Sequence, residues 1–326
     1  MIHPPRAMAA ALAVLPCAFA HAQNTSPSTL APVTISAERD GDPSRRQAEA
    51  ERSLTPGAVS VVEGEDLRLR NVGSLADMLR YTPGVWAASG MTGDSSFLSI
   101  RGSNLDATNY DGNGVKLLVD GLPVTAADGN NHNRDVDPLA MRRAIVARGA
   151  NALTYGASTL GGAINFISPT ARDGEPNEAS LQLGSHGQRQ VRATVGTVAG
   201  DVDALVSVEA KRSDGFRAHQ TQAREGLYAN LGVQLGEAVS TRFYLTRIDN
   251  DQQLPGALTW DGFNANPRAA QAAALDGNYR LNVGTTRVAN RTVWEIDADS
   301  RLSVGCLSRS RSFTTPSSTP RPTSRC

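Results

Sequence analysis

The stretch VDALVSVEAKR, Val202 to Arg212, alternates with period two. Val202, Ala204, Val206, Val208 and Ala210 fall on one side of an extended chain; Asp203, Ser207, Glu209 and Lys211 fall on the other. Successive side chains of a strand point to opposite faces, so this spacing makes one apolar and one polar face. Two architectures use such strands: a membrane barrel with a wet interior and the half-buried sheet of a soluble sandwich. Soluble strands average about 5–6 residues, and strands of about 10 favour the barrel.

The pattern recurs along the second half of the chain. In RQVRATVGTV, Val191, Ala193 and Val195 oppose Gln190, Arg192 and Thr194. In LYANLGVQL, Leu227, Ala229, Leu231, Val233 and Leu235 oppose Tyr228, Asn230 and Gln234. STRFYLTRID (Ser240–Asp249) and TRVANRTVWEID (Thr286–Asp297) continue it more loosely.

Before about Glu178 the texture is mixed α/β. AVSVV (Ala58–Val62) predicts a strand. SLADMLRYTPG (Ser74–Gly84) predicts a short helix capped by Ser74, with Asp77 three residues on and Pro83-Gly84 ending it. FLSIRG (Phe97–Gly102) predicts a second strand. VKLLVDGLPVT (Val115–Thr125) predicts a hairpin turning at Asp120-Gly121. DPLAMRR (Asp137–Arg143) predicts a brief helix leading into AIVARG (Ala144–Gly149), and AINFIS (Ala163–Ser168) a last strand. The intervening polar segments read as long loops.

The N-terminus has the three parts of a secretory signal. Arg6 supplies the charge, Ala7–Ala20 the apolar run and Ala20-His21-Ala22 the cleavage pattern, so the mature chain is expected to begin near Gln23. A polar linker follows, Asn24 to Pro56, with one β-prone island, PVTISA (Pro32–Ala37). A lone strand of that kind is suited to adding to another protein's sheet edge.

Bulk chemistry excludes several classes. With 32 basic and 32 acidic residues there is no field that calls for nucleic acid. Of the cysteines, Cys17 lies in the signal, and Cys306 and Cys326 near the C-terminus, so no cysteine framework or metal site is available between them. The five histidines, His3, His21, His132, His186 and His219, pair at no ligand spacing, and no metal is expected. DGNG (Asp111–Gly114) lacks the closing glutamate of a calcium loop. The glycine-studded segment GASTLGGAIN has neither the P-loop ending nor the dinucleotide spacing, and it precedes a strand rather than a helix. No nucleophile elbow occurs. No enzyme and no cofactor are indicated.

Taken in order, PVTISA, SLADMLRYTPGV, FLSIRG, LLVDGLPVTAADG and RAIVARGANALTYGASTLGGAINFISP resemble the TonB-dependent outer-membrane receptors, with the ferric dicitrate transporter-like branch the nearest impression. The resemblance covers roughly Pro32 to Ile296. It implies an α+β plug domain followed by antiparallel transmembrane β-barrel strands, here an incomplete 22-stranded barrel in the outer membrane. The division it implies is a signal at 1–22, a linker at 23–56 with a TonB box at 32–37, a plug at 57–170, barrel strands at 177–305 and an aberrant tail at 306–326. Implied partners are TonB with its inner-membrane motor proteins and a ferric-siderophore or ferric dicitrate-type chelate. The box would be Val33, Thr34, Ile35, Ser36 and Ala37. The plug signature would be Ile100-Arg101-Gly102 and Arg148-Gly149. Ligand contacts are expected from apical loops at Asn104, Asp106, Asn109, Asn130, Asn131 and His132. Haem, cobalamin and nickel chelates stay open as ligands.

Three departures from the family pattern stand out. Arg142 and Ile145 occupy positions where relatives often carry acids, which puts plug–barrel ion pairs from those positions in doubt. The short segment before the box leaves no room for a signalling domain. Twenty-two strands of about ten residues need about 220 before any loop, more than follows Pro176. From Cys306 onward, 17 of 21 residues are Ser, Thr, Arg or Pro, a composition expected not to pair as a strand. A frameshift or premature stop near Gly305, leaving a non-functional fragment, is the expectation. A soluble periplasmic plug-like binding module and a degraded gene product are the alternatives.

Overall fold

The computed structural model describes residues 58–70, 72, 74–89, 96–103, 114–124, 136, 141–157, 159–173, 177–297 and 300–313. They form a small mixed α/β region followed by a long antiparallel sheet.

The first region is built on a five-stranded sheet. Its strands are β1 (Val59–Glu63), β4 (Val115–Val119), β5 (Leu122–Pro123), β6 (Arg143–Arg148) and β7 (Gly162–Ile167), in the order β1-β6-β7-β4-β5. β4 and β7 run parallel, and the other pairs are antiparallel. A second, two-stranded sheet joins β2 (Val85–Ser89) to β3 (Ser96–Ile100). The short strands are near-continuous apolar runs, VKLLV and RAIVAR, as expected where both faces are covered. Phe166, Met78, Leu79, Ile100, Leu117 and Ile164 are all but inaccessible and form the core. Each contributes about 1.5–3 kcal/mol by burial.

Local sequence chemistry sets the boundaries. The helix Leu75–Leu79 starts where the Ser74 hydroxyl accepts the Asp77 amide at 3.1 Å, as the capping pattern predicts. The hairpin β4–β5 turns at Asp120 (φ 56°) and Gly121 (φ 79°). Two successive positive φ values are the signature of the tight turn whose twist matches paired strands. The brief helix expected over Asp137–Arg143 is not supported where it can be seen. Residues 137–140 lie outside the described set, Met141 and Arg142 are non-helical, and β6 begins at Arg143. The reason is pairing: Arg142 donates its amide to Ile167 O, in line with the β6–β7 ladder.

The glycines at the end of this region are packing devices. A side chain on Gly162 would sit 2.5 Å from Ala147 O and 2.9 Å from Ile100 Cδ1. One on Gly161 would overlap Ser103 and Ile100 O. Their backbones therefore press directly on the end of β3, a contact only glycine permits.

The second region is a seven-stranded meander: β8 (Glu178–Leu183), β9 (Arg189–Ala199), β10 (Val202–Ser213), β11 (Gln222–Gln234), β12 (Val239–Gln253), β13 (Arg280–Glu295) and β14 (Arg301–Phe313). Each strand pairs antiparallel with its sequence neighbour, and β8 and β14 are the edges among the described residues. Its faces are inverted relative to a water-soluble sheet. Along β10, Asp203, Ser207, Glu209 and Lys211 are buried, while Val206 and Val208 are about half exposed, at 46% and 50%. Gln190, Arg192, Arg224, Asn230 and Arg287 are likewise buried; Val191, Val195, Phe243, Val288 and Val304 are exposed. The polar face lies against the mixed region, and the apolar face has no protein cover among the described residues. A half-buried sheet in water does the opposite. A barrel wall, apolar towards lipid and polar towards a filled lumen, does this. Leu205 is the apolar exception on the inner face of β10. It is 2% exposed and packs with Ala171, Tyr228, Tyr244 and Ala289.

β14 runs past Gly305, where regular alternation was expected to stop, and pairs with β13 from Glu295↔Arg301 to Val283↔Phe313. Main-chain ladder bonds are indifferent to serine and arginine side chains. The alternation also persists in a form composition conceals, with Leu307, Arg309 and Arg311 less exposed than Ser308, Ser310 and Ser312.

Candidate functional site

The functional geometry lies where the first region meets the inner face of the sheet. The tip of the β4–β5 hairpin reaches it first. Arginines of the sheet donate to main-chain carbonyls at and beside the turn. Arg287 Nη2 donates to Val119 O at 3.1 Å, Arg291 Nη1 to Asp120 O at 3.3 Å, and Arg309 Nη1 to Val124 O. The Arg291 guanidinium lies beside Gly121, 3.6 Å from where a Cβ would stand and so in ordinary van der Waals range of it.

Asp120 locks this tip to the last strand of the region. The Ser168 amide donates to its Oδ1 at 2.9 Å, and the Ser168 hydroxyl to its Oδ2 at 2.8 Å. The residue is 4% exposed. Burial raises its carboxyl above the ordinary value, while the Ser168 bonds and then the charges of Arg287 and Arg291 pull it back.

The chain then passes into the sheet through a second polar cluster. Arg242, on β12, grips Asp203, on β10, with two parallel bonds of 2.7 and 2.9 Å. The two strands are not neighbours; β11 lies between them, and Gly232 stands opposite both residues. A Cβ there would collide with both partners, so the glycine lets an ion pair span three strands. Arg172 Nε donates to the same carboxylate at 2.8 Å, and Asn230 Nδ2 donates to Pro169 O at 3.0 Å. The exit of the first region is thereby tied to β10, β11 and β12.

The signature residues come together in space. Arg101 (φ 53°) and Gly102 (φ 83°) turn the chain after β3, and Gly149 (φ 59°) turns it after β6. A Cβ on Gly149 would stand 2.6 Å from Arg101 Nη1. Arg148 Nη1 donates to Ser60 Oγ at 2.9 Å. Burial, and then the neighbouring Arg101 charge, lower the Arg148 pKa. Arg142 pairs with Asp173, and Arg143 lies 3.8 Å from Glu63. Val33, Thr34, Ile35, Ser36 and Ala37 lie outside the described residues. So do Asn104, Asp106, Asn109, Asn130, Asn131 and His132.

Sequence reasoning gave Asp120 a turn role only and did not single out Ser168, Arg287 or Arg291. The polar phase of TRVANRTV contained the signal for the arginines, since Arg287 and Arg291 share one face of it. Nothing local pointed to their partners, which lie far back along the chain.

At the other end of the same sheet, Arg217 folds the connection 254–279 back onto 214–221. It donates to Ala269 O, Gly256 O and Pro255 O at 2.9, 2.7 and 3.3 Å. These are the longest connections between strands of this sheet; 200–201 and 235–238 close the opposite end. Among the described residues no group of His, Cys, Asp and Glu side chains is placed to hold a metal, and no helix is long and apolar enough to cross a membrane.

A region of this topology, seated on the polar face of an inside-out antiparallel sheet, defines a plugged outer-membrane wall. Residues 51–163 match the TonB-dependent Receptor Plug Domain. Over these residues the chain carries the plug of the TonB-dependent receptors. It is 29% identical over 177 residues to the hemin receptor of Yersinia enterocolitica, covering 50% of this chain and 25% of that one. It is 29% identical over 185 residues to the vitamin B12 transporter BtuB of Vibrio vulnificus (strain CMCP6), covering 56% of this chain and 28% of that one. The chain thus spans little more than a quarter of the length of these relatives. Its fold is similar to that of the ferric citrate transporter FecA in the unliganded form, with a TM-score of 0.65 and 19% identity over 79% of this chain and 40% of that one.

Proposed function

We propose that the chain forms the plug and first wall strands of a receptor for energy-coupled uptake of a ferric-siderophore or ferric dicitrate-type chelate. The observation that carries this reading is the inverted sheet: Glu209, Arg224 and Arg287 are buried against the plug, while Val206, Val208 and Val288 face outward. Longer loops of such walls face the outside of the cell, which puts 214–221 and 254–279 on the ligand side. The apical residues Asn104, Asp106, Asn109, Asn130, Asn131 and His132 would meet the chelate there. Val33–Ala37 would add as a strand to TonB on the periplasmic side, and TonB and its motor proteins would supply the work. The relatives' ligands include hemin and vitamin B12, so selectivity is assigned to the loops rather than to the shared plug architecture. The division into signal (1–22), linker (23–56), plug (57–170) and wall strands from 177 belongs to the same proposal.

The test is capture of the full chain by the periplasmic domain of TonB, with Ile35→Pro as the comparison. Proline removes a ladder donor, so capture should be lost in that variant. Equal capture of both chains, or capture of neither, sinks the reading. Fractionation tests the wall. The chain should need detergent to stay in solution, and a detergent-independent periplasmic protein would instead favour a soluble binding module.

A further inference from the structure

A cavity of about 50 Å³ lies between the β4–β5 hairpin and the inner face of the sheet, lined by Val124, Thr246, Thr285, Arg287, Arg224 and Arg309 among others. It has room for roughly three to five water-sized groups. Its lining carries three arginines, Arg224, Arg287 and Arg309, and one carboxylate. Arg287 and Arg309 stand directly opposite each other on β13 and β14, a placement in which like charges repel. Plug carbonyls, Val119 O and Val124 O, take one donor from each. Arg287 is 8% exposed, and its Nε and Nη1 have no protein partner. Glu209 is the one carboxylate among the lining residues, and it is engaged by Arg192, Gln190 and Arg224. Asp120 acts on Arg287 through charge alone, since its two oxygens accept from Ser168. A buried guanidinium with unmet donors costs several kcal/mol unless something compensates it.

We propose that this cavity binds a small oxyanion, a carboxylate or a phosphate group, held by Arg287 and Arg309 and bridging the plug hairpin to the wall. A planar guanidinium with two free N–H groups suits two oxygens of one anion. The Thr246 and Thr285 hydroxyls line the same space as further donors. None of the residues lining it is among the apical residues named above, and the proposal does not depend on which chelate the receptor takes.

The test uses the full chain in detergent, with inorganic phosphate and citrate as separate probes and chloride at matched ionic strength as the reference. The melting midpoint should rise by roughly 5 °C at about a hundred times the Kd. A response to phosphate alone assigns a phosphate group, one to citrate alone a carboxylate, and one to both a general oxyanion site. Arg287→Gln should lose the response. Thr246→Glu places a tethered carboxylate opposite Arg287. It should melt higher than the wild type in chloride and no longer respond to either anion. That variant decides the matter if Arg287→Gln fails to fold. No rise in the wild type, an equal rise in Arg287→Gln, or a Thr246→Glu chain that melts lower and still responds overturns the proposal.

Discussion

Replacing Asp120 by alanine, glycine and asparagine separates what its carboxylate does from what its backbone does. Alanine removes both acceptors of Ser168, which is 2% exposed. The Ser168 hydroxyl can turn elsewhere, but its amide cannot, and an unsatisfied buried donor costs about 1–3 kcal/mol. Alanine must also adopt φ 56°, which costs roughly another 1–2 kcal/mol in the left-handed region. The sum is about 2–5 kcal/mol. Glycine escapes the second cost and should lose about 1–3 kcal/mol. Asparagine tolerates the backbone, keeps one acceptor for the amide and removes a buried charge, so its loss should stay under about 1 kcal/mol. The assay is amide hydrogen exchange of the full chain in detergent, read in peptides covering 115–124 and 162–169. The expected order of lost protection is Ala, then Gly, then Asn. Asparagine as damaging as alanine would refute the hydrogen-bond account and leave charge as the cause.

The same residue makes a pH prediction: because its carboxyl is raised from 3.8 in the folded chain, the folded state holds the proton more tightly than the unfolded one. That contribution favours folding below about 3.8 and is lost as pH rises through the raised value, so the stability of wild type relative to Asp120→Asn should improve on acidification in urea melts. Gly162→Ala should destabilise the plug by about 1–3 kcal/mol, since the new Cβ meets Ala147 O and Ile100; unchanged protection of β6 and β7 in exchange experiments would contradict the packing role. Arg242→Ala leaves the Asp203 carboxylate, 2% exposed, with Arg172 as its remaining cation and should cost about 1.5–3 kcal/mol; Arg242→Ala with Asp203→Ala should recover part of it, and a double mutant no better than the single argues against the pair. Among the described residues β8 and β14 are unpaired edges of the sheet, which lipid does not tolerate, so these 326 residues expressed alone should give no heat-modifiable band in outer-membrane fractions; such a band would refute this.

Much of the plug was legible because its signals are local. Ser74 caps its helix through a residue three positions on, and Asp120-Gly121 turns its hairpin with its own backbone. The misread segments needed distant information. Whether 141–143 are helix or strand depends on Ile167 across the β6–β7 ladder. Whether a serine- and arginine-rich segment pairs depends on β13 lying beside it. The Asp203–Arg242 pair was invisible because its condition is a missing side chain, Gly232, on the strand between.

The amino-acid sequence determined which residues share a face. A period of two leaves no choice once the chain is extended, so Val206 and Val208 had to stand together, as did Ser207 and Glu209. It did not determine which face is inside. Burial has a sign that depends on what occupies each side of a sheet, and alternation reads the same in a sandwich and in a wall. The tertiary structure decided it by seating the plug against Glu209, Arg224 and Arg287 and leaving the valines uncovered.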